Sequence, residues 1–190
     1  MNRNAKIALG IIAGLSIIGT LAYINRKKIK KIAKKVITKV WDTITELRIS
    51  NLHPEIRKDV KNYINEAQTK LGKKLRVTSG FRSHKEQNEL YAKGRTKPGK
   101  IVTKARGGQS YHNFGLAFDV VEIKNGKALW RNPDWEKIGR LGEKYGFSWG
   151  GRWRTFKDKP HFQKTFGKRT KQLQAMYARD KKKGKYVILV

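Results

Sequence analysis

The chain of 190 residues carries 45 Lys and Arg against 14 Asp and Glu, a formal net charge of +31, with 38% hydrophobic residues and no cysteine. That length suits one domain of ordinary size with appendages, and the absent thiols exclude a disulfide framework, an iron–sulfur cluster and any thiolate metal site. A charge this positive points to polyanionic surroundings, whether nucleic acid, anionic lipid or a charged cell wall.

The charge is uneven: +9 over residues 1–45, +14 over 46–163 and +8 over 164–190. The first element is Ile7 to Ile24, 18 residues without a charge, long enough to cross a bilayer as a helix. Arg3 and Lys6 before it also fit a cleaved signal peptide, but no small-x-small cleavage site follows. A retained anchor is the favoured reading over a signal peptide or a core helix. Arg26 to Lys39 then holds eight basic residues and no acid, with Ile29, Ile32, Ala33, Val36, Ile37, Val40, Trp41 and Ile44 at helical spacing. This predicts a basic amphipathic helix, either lying on an anionic membrane surface or packing as a solvated helix on the domain. Its charge follows the apolar segment and would hold the rest of the chain in the cytoplasm.

From Pro54 onward the pattern mixes helix and strand. Pro54 to Leu71 has helical periodicity between a proline start and Gly72. Leu75 to Thr78 reads as a short strand, and Ser83 to Lys93 as a helix opened by Ser83 and Glu86 in capping-box spacing. Arg95 to Ser110 is a long glycine-bearing loop of the kind that often carries function. Leu116 to Ile123 alternates as a strand, and Asn125-Gly126 marks a hairpin into Ala128 to Trp130. Pro133 to Tyr145 is a helix closed by Gly146, with short strands at Phe147 to Trp149 and Pro160 to Gln163. The absence of a regular βαβ rhythm predicts an α+β domain with a small, mostly antiparallel sheet flanked by helices. Beyond Lys164 a helix over Thr170 to Ala178 and a lysine run read as a solvated, polyanion-seeking tail.

The chain has four histidines. His53 precedes a helix start and His84 begins a helix, so both read as structural or solvated. His112 lies in a glycine-bearing turn that runs into a strand carrying Asp119 among apolar neighbours, and His161 follows Asp158 by three residues. A carboxylate in Ala117-Phe118-Asp119-Val120-Val121 is costly to bury unless paired or metal-bound. Two imidazoles and one carboxylate suit a catalytic zinc ion with an open position, with a second carboxylate as proton acceptor. On spacing alone, that reading and satisfied buried residues both stand. No H-E-x-x-H motif is present.

The pattern Ser110-x-His112-x-x-Gly115-x-Ala117-x-Asp119 followed by Asp158-x-x-His161 resembles the signature of the M15 zinc peptidases. That group includes D-Ala-D-Ala peptidases, L-alanyl-D-glutamate endopeptidases and many phage endolysins. Ser79-Gly80-Phe81-Arg82-Ser83-x-x-x-Gln87 and Trp149-Gly150-Gly151-x-Trp153-x-x-Phe156 extend the resemblance over Leu52 to Gln163. It implies one Zn2+ held by His112, Asp119 and His161, with Asp158 as catalytic base and Arg82 as substrate and transition-state contact. Gln87 and Ser110 would line the site, and Trp153, with Trp149, would wall the cleft or pack in the core.

Asp rather than Glu before the last His is similar to the L-alanyl-D-glutamate endopeptidase branch. The resemblance therefore implies a monomeric zinc peptidase that cuts the peptidoglycan stem peptide, most readily at L-Ala–D-Glu. Alternatives are a D,D-carboxypeptidase removing terminal D-Ala, or a non-catalytic basic membrane- or polyanion-binding protein. The implied domains are an anchor or signal segment over 1–25, a basic helix and linker over 26–48, the peptidase-like domain over 49–166 and a basic tail over 167–190. Anionic lipid or acidic wall polymers become the expected partners of the basic segments, and nucleic acid a minor one. The expected place is the bacterial envelope, with a secreted form or a phage lysin held at the inner membrane face as alternatives.

Overall fold

The computed structural model describes residues 23, 25–33, 35–36, 41–132 and 134–189. It divides into two compact units, Met1–Val40 and Trp41–Val190. In the first, residues 25–33 and 35–36 are helical. No helix among the described residues is long and apolar enough to cross a membrane; the expected span Ile7–Ile24 lies, Tyr23 apart, outside them.

The second unit starts with helix α1 (residues 41–50), followed by α2 (Pro54–Leu71), β1 (Leu75–Ser79) and α3 (His84–Ala92). After the long loop come a 3₁₀ turn (Tyr111–Phe114), the hairpin β2 (Ala117–Lys124) and β3 (Lys127–Leu129), α4 (Trp135–Lys144), β4 (Ser148–Trp149) and β5 (His161–Gln163). Helix α5 (Thr170–Ala178) and a small hairpin of β6 (Lys182–Lys183) and β7 (Tyr186–Val187) complete it. The sheet runs β1-β2-β5-β4, with β3 on β2, and the pairings are antiparallel. The expected α+β class is the one observed.

Local chemistry explains the elements. Helix α2 opens on Pro54 and closes on Gly72 at φ 64°, where the absence of a Cβ makes the left-handed turn inexpensive. Ser83 and Glu86 form the full capping box at the start of α3. Asn125 and Gly126, at φ 53° and 78°, make the tight turn whose twist matches the two strands.

The core lies between α2, α4 and the sheet. Tyr63, Phe118 and Phe162 are fully buried, with ring centroids 5.2 Å apart for Tyr63–Phe162 and 5.6 Å for Phe118–Phe162. Burial of each such ring stabilises the fold by about 1.5–3 kcal/mol. Tyr63 donates its hydroxyl to the Ile138 carbonyl at 3.3 Å, so the phenol is not left unpaired. Gly139 and Gly142 let α4 approach the sheet: a Cβ on either would meet Trp149 or Phe162 at 2.3 Å.

The segment after Lys164 is not the solvated tail expected from its charge. Leu173 and Val187 are buried in the core cluster, and Tyr111 donates its hydroxyl to the Lys168 carbonyl at 2.8 Å. Lys171, Lys181 and Lys183 are exposed, while Lys185 is tied to Asn51 Oδ1 at 2.6 Å. His53 is structural, as expected: its Nδ1 accepts from the Glu55 amide at 3.3 Å, and its Nε2 donates to the Val187 carbonyl at 2.8 Å. His84 is exposed.

Candidate metal centre

The sheet register places the candidate ligands. Ser79 pairs with Asp119 across β1–β2, and Asp119 pairs with His161 across β2–β5. Residues directly opposite on neighbouring strands project to one face, so Ser79, Asp119 and His161 form a row. His112 comes from the 3₁₀ turn, which Ser110 caps and Gly115 ends at φ 69°.

His112, Asp119 and His161 form a group that could hold a metal ion, each offering a ligand atom within 4.8 Å of the others. His161 Nδ1 lies 3.1 Å from Asp119 Oδ1, and His112 Nε2 lies 3.4 Å from that oxygen and 3.3 Å from His161 Nδ1. The far side of each ring fixes its tautomer. His112 Nδ1 is 2.7 Å from the Gly80 carbonyl, which can only accept, so Nδ1 carries the proton and Nε2 presents a lone pair. His161 Nε2 donates to Gln163 Oε1 at 3.0 Å, leaving Nδ1 as the inward acceptor.

Three acceptor atoms thus converge with no proton donor assigned among them. That donor set, two neutral imidazoles and a carboxylate, fits Zn2+. Burial holds His112 below the ordinary histidine value. Burial also pushes the Asp119 carboxyl upward, but His112 and His161 outweigh it and hold it well below the usual carboxylate range. For His161, burial is outweighed in the other direction by the Asp119 carboxylate, which raises it.

Arg82 stands beside this group. Its Nη2 donates to Ser79 Oγ at 2.8 Å and lies 3.7 Å from Asp119 Oδ2, and its Nη1 donates to Gln87 Oε1 at 2.7 Å. Burial draws the guanidinium below its usual range, and it remains a cation. A cleft of about 610 Å³ opens over the site, lined by Arg82, Ser110, Trp153, Phe156 and Asp158 among others. The Asp158 carboxyl is raised above the ordinary aspartate value, first by burial and then by the Asp119 charge. Gly150 makes room for its loop: a Cβ there would meet the Asp158 carbonyl at 2.4 Å, while the Asp158 amide donates to the Gly150 carbonyl at 3.1 Å.

Most of the residues singled out in the sequence come together here, with one difference. Gln87 does not line the cleft. It is fully buried, and its amide is spent on Arg82, on the Ala105 carbonyl at 2.8 Å and on Thr103 Oγ1 at 3.3 Å. It ties Arg82 to the 103–105 loop. Trp149 packs in the core, donating to the Lys159 carbonyl at 2.7 Å, whereas the Trp153 ring sits 5.1 Å from the His161 ring at the cleft wall. Sequence reasoning missed Gln163 and Gly80. Gln163 was findable, because it stands two residues after His161 on the same strand face. The Gly80 carbonyl leaves no side-chain signal.

Comparison with known proteins accords with this geometry. A family model of the M15 peptidases, described as D-alanyl-D-alanine carboxypeptidase, matches residues 103–164, a stretch that holds His112, Asp119, Asp158 and His161. The peptidoglycan L-alanyl-D-glutamate endopeptidase CwlK of Bacillus subtilis is 43% identical over 124 residues, covering 60% of this chain and 74% of the relative. Among solved structures, the L-Ala D-Glu endopeptidase ChiX of Serratia marcescens is 27% identical, covering 64% of this chain and 86% of its own, at a TM-score of 0.49. The identity to CwlK over most of that relative, joined to the family match across the metal-ligating group, makes this chain a member of the M15 family of peptidases, an enzyme of peptidoglycan.

Proposed function

We propose that the chain is a zinc-dependent endopeptidase that hydrolyses the L-Ala–D-Glu bond of the peptidoglycan stem peptide. The observation that carries the zinc assignment is the convergence of three acceptor atoms from His112, Asp119 and His161 within 4.8 Å. The choice of bond is supported by the 43% identity to CwlK, itself an L-alanyl-D-glutamate endopeptidase. Zn2+ held by those residues would supply Lewis acidity, lowering the pKa of water and polarising the scissile carbonyl.

The chain's own residues do the rest. Asp158, raised by burial and the Asp119 charge, has the proton affinity to take a proton from the attacking water and pass it to the leaving amine. Arg82, fixed by Ser79 and Gln87, offers guanidinium donors to the oxygen on which negative charge develops. Trp153 beside His161 shields the site from bulk water and gives the peptide a flat wall. The uncharged stretch Ile7–Ile24 supports placement at the cell envelope by an N-terminal anchor.

A D,D-carboxypeptidase is the second reading, favoured by the description of the matching family model. Mass spectrometry of digested muropeptides separates the two. New N-terminal D-Glu is expected; released D-Ala with intact L-Ala–D-Glu would reject the endopeptidase reading. Asp158→Ala is expected to abolish hydrolysis of purified sacculi, and unchanged hydrolysis would remove Asp158 as the base.

A further inference from the structure

The helical residues 25–33 and 35–36 are strongly one-sided. Ile29, Ile32 and Val36 follow i, i+3, i+7 spacing and form one stripe, yet they are 65%, 54% and 57% exposed. Arg26, Lys27, Lys28, Lys30, Lys31 and Lys35 occupy the rest of the circumference, all exposed. No acidic residue precedes Asp42 in the sequence, so the unit Met1–Val40 contains no carboxylate side chain to pair with these cations.

A partner must meet both demands at once. A soluble polyanion would neutralise the cations but leave the isoleucine stripe in water. An apolar protein groove with an acidic rim would satisfy the helix, but not the 18 uncharged residues that lead into it. An anionic bilayer surface takes all of it: acyl chains for the stripe, phosphate headgroups for the lysines, and hydrocarbon for the preceding segment.

We propose that the helical residues 25–33 and 35–36 lie in the plane of an anionic membrane, with Ile29, Ile32 and Val36 facing the acyl boundary and the cations at the headgroups. The cationic flank after Ile24 is then a lipid-binding element. This assignment is independent of which peptidoglycan bond the enzyme cuts.

The chain contains no cysteine, so Ile29→Cys and Lys31→Cys each give a full-length protein with a single thiol for an environment-sensitive fluorophore. Two residues apart on a helix, these positions face nearly opposite directions, about 200° around the axis. With phosphatidylcholine–phosphatidylglycerol vesicles, the Ile29 label is expected to shift to the blue and to be quenched by lipids carrying a nitroxide near the headgroup. The Lys31 label is expected to keep its aqueous emission, and with phosphatidylcholine alone neither should move. An unmoved Ile29 label on the anionic vesicles would overturn the proposal. So would equal shifts of both labels quenched from the bilayer centre, which would mean a spanning helix. An equal Ile29 shift with soluble polyphosphate would overturn it in favour of a polyanion site.

Discussion

Replacing Gln163 by alanine removes one acceptor from the edge of the metal group and leaves all three of its ligands in the sequence. His161 Nε2 lies 3.0 Å from Gln163 Oε1; His161 itself is 6% exposed, and Gln163 lines the cleft, so any water that takes the vacated place is a less fixed acceptor than the amide oxygen. A buried N–H left without an acceptor costs about 1–3 kcal/mol. The ring has an escape: moving the proton to Nδ1, which then donates to Asp119 Oδ1 at 3.1 Å. That exchange satisfies the imidazole but withdraws the lone pair that faces His112 and Asp119. Partners that orient a ligand in this way are worth about 10–100-fold in metal affinity, which is about 1.4–2.7 kcal/mol. Zinc affinity measured by competition with a chromophoric chelator should fall by that factor in Gln163→Ala and recover in Gln163→Glu, whose carboxylate is again an acceptor. An unchanged affinity in Gln163→Ala, or an equal loss in both variants, would show that the His161 tautomer is not set from this side.

Three further outcomes follow from the same geometry. Gly150→Ala puts a Cβ 2.4 Å from the Asp158 carbonyl and must displace that backbone. Hydrolysis of sacculi should drop by about a hundredfold for a shift near 1 Å, with the chain still folded by circular dichroism. Chelator treatment should abolish hydrolysis and lower Tm, and zinc at a thousandfold excess over its Kd should restore both, contributing about 4 kcal/mol; an unchanged Tm on zinc addition would argue against a site formed by the native fold. Glu66 accepts from Lys70, Tyr145 and Lys144, which lower its carboxyl from 4.5 to about 2. A depressed folded value gives stability that is present above the unfolded value and lost as pH falls toward about 2. Tm should therefore fall less between pH 4.5 and pH 2 in Glu66→Gln than in the parent chain, and equal slopes would refute the linkage.

The parts of this molecule that were legible in the sequence are those where local chemistry and final structure agree. Pro54 and Gly72 bracket α2, Ser83 and Glu86 cap α3, and Asn125-Gly126 closes the β2–β3 hairpin. His112, Asp119, Asp158 and His161 carried their own signal because buried polar side chains next to glycine turns are costly without a purpose. What stayed hidden depends on register and on packing across the chain. The Gly80 carbonyl orients His112 from 32 residues away in sequence, and no side chain marks it. Gln87 was expected at the cleft only through the resemblance to the M15 peptidases, and the fold shows its amide turned toward the 103–105 loop. The C-terminal segment read as solvated because nine basic residues obscure the two apolar positions, Leu173 and Val187, that enter the core.

The order in which the chain is synthesised gives the packed C-terminal segment a further significance. His161 meets Asp119 across 42 residues and His112 across 49, and His53 beside α2 meets Val187 across 134. Contacts this remote must wait for distant segments to arrive, which makes them late steps of folding. A nascent chain can form α2, β1 and the β2–β3 hairpin while still lacking β5, and therefore lacks His161 and a complete donor set. The Val187 strand packs beside the turn that carries His112, where a Cβ added to Gly115 would meet the Tyr186 ring at 3.3 Å. The donor set is thus assembled only when β5 has paired with β2, bringing His161 opposite Asp119.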